Sequence, residues 1–384
     1  MRVGVDATTW SNRRGFGRFA RNAVSRLVER DRDTEYVLYV DPHANGFPLP
    51  ARATLRPLST AGERPADRSR PAAELLRFGW QASRDRLDAV LFPSVYSYFP
   101  VVGVPTVVGV HDVIADQLPE LTLPSPKSRL LWRLKETVAV RRAARVFTVS
   151  AASREAVGRR FGLPSERLAV VPEAPDAIFG PRDARSLRAA LEPLGLETGG
   201  FFVYAGGISP HKNLGTLIDA YASFASIASH APPLVLVGDL DDDSYLSAGA
   251  AVRQRISFHG LDRRVRLPGF VSDEVLACLY AGARAAVLPS LAEGFGLPAV
   301  EAAACGAPVV LSELPAHRET LGDAGLFFPP RDRGALEAAL HRVHADEALR
   351  QGMADRSRAA VRRMTWDETA DRLAELVAEA GRGR

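Results

Sequence analysis

Short apolar runs of strand length alternate with helical repeats along the whole chain, and the alternation starts twice. In the first half Arg2–Asp6, Tyr36–Val40, Ala89–Phe92, Thr106–Val110 and Val146–Val149 read as buried strands. Helical stretches fall at Gly17–Val28, Arg129–Ala144 and Ala152–Phe161. In the second half strands are expected at Phe201–Tyr204, Leu234–Val237, Val265–Leu267, Ala286–Leu288 and Pro308–Leu311, again with helices between. Near-continuous apolar strands separated by helices require parallel sheets covered on both faces. The expected class is α/β, with two doubly wound, Rossmann-like parallel-sheet domains. Ligands of such sheets bind beyond the carboxyl ends of the strands.

A chain of 384 residues suits two cores better than one. After Val171-Pro172-Glu173-Ala174-Pro175 the sequence turns irregular up to about Arg185, with Pro and Gly. The interdomain linker is expected there, which gives domains over 1–175 and 176–365. Apolar content of 46% and charged content of 24% are those of soluble globular proteins. A net charge of +4, from 49 basic and 45 acidic residues, does not call for nucleic acid, but suits an anionic nucleotide-sugar or anionic lipid. No apolar stretch is long enough to span a bilayer and no leader pattern opens the sequence, so a cytoplasmic location is expected. Cys278 and Cys305 are too few for a disulfide framework and read as buried free thiols. Arg52–Arg70, rich in Arg, Pro and Ser, reads as a loop.

The densest chemistry lies in Glu293-Gly294-Phe295-Gly296-Leu297-Pro298-Ala299-Val300-Glu301, just after the strand ending Val287-Leu288. Pro298 suits the start of a helix, because its missing N–H would be unpaired there in any case. Gly294 and Gly296 let backbone approach a ligand closely. The N–H groups and positive dipole end of the helix favour phosphate or a sugar oxygen. Glu293 is expected in the loop and Glu301 in the first helical turn. Ionised carboxylates only accept hydrogen bonds and so suit hydroxyls. A second strand, glycine turn and helix start follows the same plan: Phe201-Phe202-Val203-Tyr204-Ala205-Gly206-Gly207, then Ile208-Ser209-Pro210-His211-Lys212-Asn213. Lys212 is one of only three lysines, against a large excess of arginine. A lysine beside a glycine turn points to a compact ammonium in a phosphate site. Without further context both segments also fit plain turns into ordinary helices.

Together with Ser312-Glu313-Leu314-Pro315-Ala316-His317-Arg318-Glu319, these segments resemble glycosyltransferase family 4. The resemblance covers nearly the whole chain and is most specific in the second half. It implies the GT-B fold, two Rossmann-like domains facing across a cleft, and a retaining, nucleotide-sugar-dependent hexosyltransferase of mannosyltransferase-like type. It implies an N-terminal acceptor-binding domain over 1–175, joined by a returning C-terminal helix at 366–384, and a C-terminal nucleotide-sugar-binding domain over 176–365. Lys212 would neutralise the diphosphate, Glu301 accept from the ribose hydroxyls, and Glu293 with the backbone of Gly294, Phe295, Gly296 and Leu297 orient the donor sugar. Gly206, Gly207 and Asn213 frame the donor-binding lysine turn. His111, at the close of the strand Val107–Val110, corresponds to a family histidine near the donor sugar. Gly15-Phe16-Gly17-Arg18 resembles the family's first glycine loop, which places Gly15, Gly17 and Arg18 at the donor phosphates. Many relatives carry Arg where this chain has Gly207, and Arg18 is the candidate substitute.

No cofactor and no metal is expected. Asp239-Leu240-Asp241-Asp242-Asp243 resembles a metal-holding D-x-D only superficially and reads as an acidic loop. Ser150 matches a family serine or caps the helix from Ala152. The basic stretch Lys127, Arg129, Arg133, Lys135, Arg141, Arg142 and Arg145 with Leu130, Leu131, Trp132 and Leu134 reads as a solvated basic helix packed by its apolar stripe. Its alternative is a docking helix for anionic membrane. The expected partners are the nucleotide-diphosphate sugar and a sugar, lipid-linked or small-molecule acceptor, with peripheral contact at the inner membrane face. A GT-B nucleotide-sugar epimerase, a metal-dependent transferase and a non-catalytic nucleotide-sugar-binding protein remain alternatives.

Overall fold

The computed structural model describes residues 1–12, 15–41, 47–58, 72–123, 125–240 and 247–383. The chain divides into two compact units. Unit 1 comprises Met1–Asp116, Ser125–Glu173 and Thr365–Arg384; unit 2 comprises Gln117–Pro124 and Ala174–Met364.

Unit 1 is built on strands β1 (Arg2–Asp6), β2 (Glu35–Val40), β3 (Thr54–Pro57), β4 (Ala89–Phe92), β5 (Thr106–Gly109), β6 (Arg145–Thr148) and β7 (Leu168–Val170). They form one sheet in the order β3-β2-β1-β4-β5-β6-β7, every pair parallel. All four residues of β4 and of β5 are buried, as a strand covered on both faces must be. Helices α1 (Gly15–Arg30), α2 (Ala72–Arg84), α3 (Ile114–Gln117), α4 (Pro119–Thr122), α5 (Pro126–Arg142) and α6 (Ala151–Phe161) follow the strands. The start of α5 is fixed by a capping box between Ser125 and Ser128 with Pro126 in the first turn. Ser150 Oγ accepts from the N–H of Ser153 at 2.9 Å and so caps α6, while Gly162, at φ 63°, ends it.

Two expectations are corrected here. Part of the stretch expected as a loop, Arg52–Arg70, is strand: β3 pairs in register with β2 from Val37↔Thr54 to Val40↔Pro57, although all four β3 residues are exposed. Residues 59–70 of that stretch lie outside the described residues. The basic helix is not packed by its leucines. Leu130, Leu131 and Leu134 are exposed, and Glu136, Ala139 and Val140 are the α5 residues buried instead.

Unit 2 carries β8 (Phe202–Ala205), β9 (Leu234–Val237), β10 (Val265–Gly269), β11 (Ala285–Leu288), β12 (Val309–Ser312) and β13 (Leu326–Phe328), all parallel, in the order β10-β9-β8-β11-β12-β13. Its helices are α7 (Ala184–Leu191), α8 (Leu214–Ile227), α9 (Gly249–Phe258), α10 (Asp273–Gly282), α11 (Leu297–Ala304), α12 (Pro315–Leu321), α13 (Arg333–Ala345) and α14 (Glu347–Val361). The chain winds outward from β8 on one side and from β11 on the other. The carboxyl ends of β8 and β11 are therefore the switch point where doubly wound sheets bind ligands. Asp239 follows β9; Asp241, Asp242 and Asp243 lie outside the described residues. Cys278 and Cys305 are free and buried.

The last helix, α15 (Trp366–Arg382), belongs to unit 1. Leu373, Val377 and Ala380 are buried, Trp366 meets Phe19 edge-on at 6.0 Å, and Thr369 Oγ1 donates to the Pro172 carbonyl at 2.7 Å. Arg30 of α1 pairs with Asp367 at 3.0 Å and with Asp371 at 2.8 Å.

Candidate functional site

The glycine turn after β8 is shaped by close backbone approach. Tyr204 Oη donates to the Gly207 carbonyl at 2.7 Å. A Cβ on Gly238 would stand 2.4 Å from the Gly206 carbonyl, so the turn requires glycine in the neighbouring strand's exit. Pro210–Lys212 then makes one 3₁₀ turn that ends at Asn213, which adopts the left-handed φ of 59°. Asn and Asp tolerate that region better than other non-glycine residues. The Asn213 amide uses the conformation fully, donating to the carbonyls of Pro289 at 3.0 Å and Pro330 at 2.8 Å. The N–H of Leu291 donates to the His211 carbonyl at 2.8 Å. The lysine turn is thus stapled to the segment leaving β11.

That segment carries the acid. Lys212 Nζ donates to Glu293 Oε1 at 2.7 Å, and Ser290 Oγ donates to the same oxygen at 2.7 Å. Ser312 Oγ donates to the Ser290 carbonyl at 2.6 Å, and His317 Nδ1–H to the Ser312 carbonyl at 2.9 Å. A carbonyl only accepts, so the proton sits on Nδ1. One chain of hydrogen bonds runs from the end of β12 through the end of β11 to the turn after β8.

The electrostatics follow from burial and pairing. Burial alone would push the Glu293 carboxyl up, but the Lys212 ammonium overrides it and takes the group from 4.5 down to about 2. Glu293 is therefore a fixed anion. Burial holds the His317 ring below its ordinary value, and so neutral. The ring fills the space a Cβ on Gly296 would need: that atom would lie 2.8 Å from His317 Cδ2, and Gly296 adopts φ 89°. Gly296 caps α11 without any side-chain hydrogen bond. Phe295 and Leu297 are buried, each 6% exposed, which seats the loop while its backbone runs past the pair. Glu301 lies in the second turn of α11, one turn later than expected, and is 4% exposed. In chemical terms, unit 2 offers an ammonium, an acceptor-only carboxylate fixed beside it, and a helix start that no side chain caps.

Unit 1 holds the other expected residues. Gly15 opens α1, and Gly17 sits where a Cβ would lie 2.1 Å from the Asn12 carbonyl, so the turn after β1 closes only over glycine. Arg21 Nη1 braces that turn through the carbonyls of Trp10 and Asn12, each at 2.6 Å. Arg18 is half-buried on the same helix. His111 follows β5 and is enclosed: Nε2–H donates to the Pro93 carbonyl at 2.8 Å, Nδ1 stands 3.6 Å from Glu173 Oε1, and Phe19 meets the ring edge-on at 4.6 Å. Burial takes the imidazole from 6.5 to about 4, so the ring is neutral near pH 7. Its two nitrogens are both directed within unit 1. The Asp112 carboxylate accepts from the Ile114 N–H at 2.9 Å.

Lys212, Asn213, Glu293 and the Gly294–Leu297 loop are thus brought together, with Gly206 and Gly207 one turn away. Gly15, Gly17, Arg18 and His111 stand in unit 1. The sequence places Ser312 and His317 in a family-like segment without giving them a role, and singles out neither Ser290 nor Tyr204. Position was a signal, since Ser312 ends β12 and Ser290 follows β11, its neighbour in the sheet. A cavity of about 270 Å³, lined by Tyr98, Val101, Thr106 and Arg142 among others, lies at the amino end of β5 and away from all of these residues.

Two family models match the chain: Glycosyltransferase Family 4 over residues 13–177 and Glycosyl transferases group 1 over 200–346. The O-antigen chain mannosyltransferase B of Escherichia coli is 32% identical over 260 residues, which cover 67% of this chain and 66% of that protein. The match therefore spans just under two thirds of that relative's length. Among solved structures, sucrose-phosphate synthase from Thermosynechococcus elongatus aligns with a TM-score of 0.81 at 21% identity, covering 100% of both chains. Anabaena HepE in complex with UDP-glucose aligns at 0.76 and 19%, covering 99% of this chain and 100% of the other. At those identities the likeness is one of fold, the GT-B fold.

Proposed function

The chain belongs to glycosyltransferase family 4, within the group 1 glycosyl transferases, and we propose that it is a retaining enzyme moving a hexose-type sugar from a nucleotide-diphosphate sugar to an acceptor hydroxyl, without a metal ion. One observation carries the reading. The Lys212–Glu293 pair stands where β8 and β11 end, at the switch point of the unit 2 sheet. HepE, a protein of the same fold, is seen with UDP-glucose, which supports a nucleotide-sugar donor. The mannosyltransferase likeness supports a mannose-type sugar.

In this reading the bond between anomeric carbon and phosphate oxygen breaks while negative charge grows on the leaving diphosphate. Lys212 and the backbone of the Gly294–Leu297 loop meet that charge, in a place already shielded from water. Glu293, ionised and immobile, accepts from sugar hydroxyls and holds the ammonium in place. Glu301 accepts from the ribose. The acceptor oxygen attacks from the face the phosphate leaves, and its proton passes to the departing phosphate oxygen. No protein nucleophile is required. Gly206, Gly207, Asn213, Gly15, Gly17 and Arg18 are assigned to the donor phosphates and His111 to the donor sugar. Residues 1–175 with the helix 366–384 are assigned to the acceptor, and 176–365 to the donor. The acceptor is read as a sugar, small-molecule or lipid-linked hydroxyl, used at the inner face of a membrane.

The test is a thermal-shift screen against UDP-, GDP- and dTDP-sugars, since a specific ligand raises the unfolding temperature by mass action. Transfer is then assayed with the stabilising donor, with and without chelator, and the product anomer is read by NMR. A retained anomer formed only when acceptor is present, at a rate chelator leaves unchanged, is expected. Conversion of donor without acceptor, or an inverted product, would overturn the reading.

A further inference from the structure

Helices α2 and α5 cover the same face of the unit 1 sheet. Phe78 and Ala82 of α2 and Ala139 and Val140 of α5 are buried in one apolar cluster with Phe92 and Val108. Their outward sides are also apolar. On α2, Leu76 is 62% and Trp80 58% exposed; on α5, Leu130, Leu131 and Leu134 are 68%, 55% and 60% exposed. Val102, 68% exposed, adjoins α2 through its N–H, which donates to Ser83 Oγ at 3.0 Å. These are six of the eleven large apolar side chains exposed among the described residues. Scattered exposed leucines are ordinary, but a concentration on one face marks an interaction surface.

On the two helices themselves the exposed charge has one sign. Arg77 and Arg84 of α2 and Lys127, Arg141 and Arg142 of α5 are exposed, and Arg84 lies 3.8 Å over the Trp80 ring. Each helix has a single carboxylate, and both are turned in: Glu74 is 2% and Glu136 1% exposed. Arg133 is partly neutralised by Asp116 at 3.1 Å. The α5 leucines are flanked by cations on both sides, Lys127 before and Arg141 and Arg142 after. A second copy laid along the helix in either direction would meet like charge. An anionic lipid surface satisfies both features, since cations attract headgroups and leucines and tryptophan enter beneath them.

We propose that this face of unit 1 docks on an anionic lipid bilayer, with Trp80, Leu130, Leu131 and Leu134 entering the headgroup region and Arg77, Arg84, Lys127, Arg141 and Arg142 meeting lipid phosphates. The inference deepens the proposed membrane-side role and rests on it for its purpose; vesicle binding is read without any sugar transfer, so the two can fail separately. The full chain is sedimented with vesicles of phosphatidylcholine alone and of phosphatidylcholine mixed with phosphatidylglycerol. Binding about tenfold or more stronger to the mixed vesicles, fading as salt rises, is expected, with Trp emission moving to the blue. The triple change Leu130→Ser, Leu131→Ser, Leu134→Ser and, separately, Arg141→Glu with Arg142→Glu should each weaken it about tenfold. Unchanged circular dichroism and an unchanged thermal shift with nucleotide-sugar would show that both variants still fold. Equal binding of wild type and leucine variant, no preference for anionic lipid, or a wild-type dimer that the leucine variant dissolves would each overturn the proposal.

Discussion

Lys212 Nζ lies 2.7 Å from Glu293 Oε1, and the two residues are stapled together from both sides although 81 positions separate them. Asn213 ties the lysine turn to Pro289, and Ser290 holds the acid. The proposed chemistry rests on this arrangement, and so do most of its tests.

Lys212→Ala should lower kcat/KM by at least about a hundredfold, because it removes the charge that meets the leaving phosphate. It also strands Glu293, whose side chain is only 12% exposed. Removing one partner of a buried pair costs roughly 3–5 kcal/mol. Urea unfolding should show that loss, and Lys212→Ala with Glu293→Gln should recover part of the stability but none of the transfer. Glu301→Ala should abolish transfer with the fold retained. An active Lys212→Ala enzyme would remove the phosphate assignment.

Acid should unfold the protein in two windows. In the unfolded chain Glu293 takes a proton near 4.5, but in the native protein only near 2. Between those values the unfolded state binds more protons, so the carboxylate's contribution, complete above 4.5, drains away as pH falls towards 2. His111 acts earlier. Its native value of about 4 lies below 6.5, so stability is lost from 6.5 downward as the unfolded imidazole charges first. Urea midpoints from pH 7.5 to 3 should therefore flatten below 4.5 in Glu293→Gln and between 6.5 and 4 in His111→Gln. Parallel curves for wild type and variants would contradict both assignments.

Gly207→Arg should tighten donor binding. A Cβ at this position meets nothing within 4 Å, so the side chain has room, and it supplies the arginine that the family resemblance implies there. One hydrogen bond to a charged group is worth roughly a tenfold change in dissociation constant. Titration calorimetry at low and high salt reads the effect, which should shrink as salt rises. An unchanged constant would place residue 207 away from the diphosphate.

Gly296→Ala should destabilise the protein by about 1–3 kcal/mol, through both its positive φ and the overlap with His317. Adding His317→Ala removes the overlap but not the strain, so the double variant should recover only part of the loss. Full recovery would mean that backbone conformation contributes nothing here.

Strands β1, β2, β4 to β6 and β8 to β12 and the motif residues at their ends were legible because each rests on a local signal: an apolar run, a glycine pair, a proline before an alanine-rich helix; β7 and β13, three residues each, were missed. The supports were not. Ser290, Ser312 and His317 act only because β8, β11 and β12 are neighbours, and adjacency is a property of the folded sheet. Strand β3 escaped notice because its four exposed residues carry no apolar pattern and are ordered by pairing with β2. The α5 leucines illustrate a different limit. Helical spacing reveals that Leu130, Leu131 and Leu134 share a side, but not whether protein or solvent lies opposite it.

Helix α15 packs on α1, and the Arg30–Asp371 pair that joins them spans 341 positions. Unit 1 is therefore discontinuous in sequence and complete only when Thr365–Arg384 returns to it, whereas Ala174–Met364 of unit 2 is one continuous run. Closing so long a loop costs chain entropy that the contacts between α1 and α15 must offset, which makes Thr365–Arg384 the clasp of unit 1.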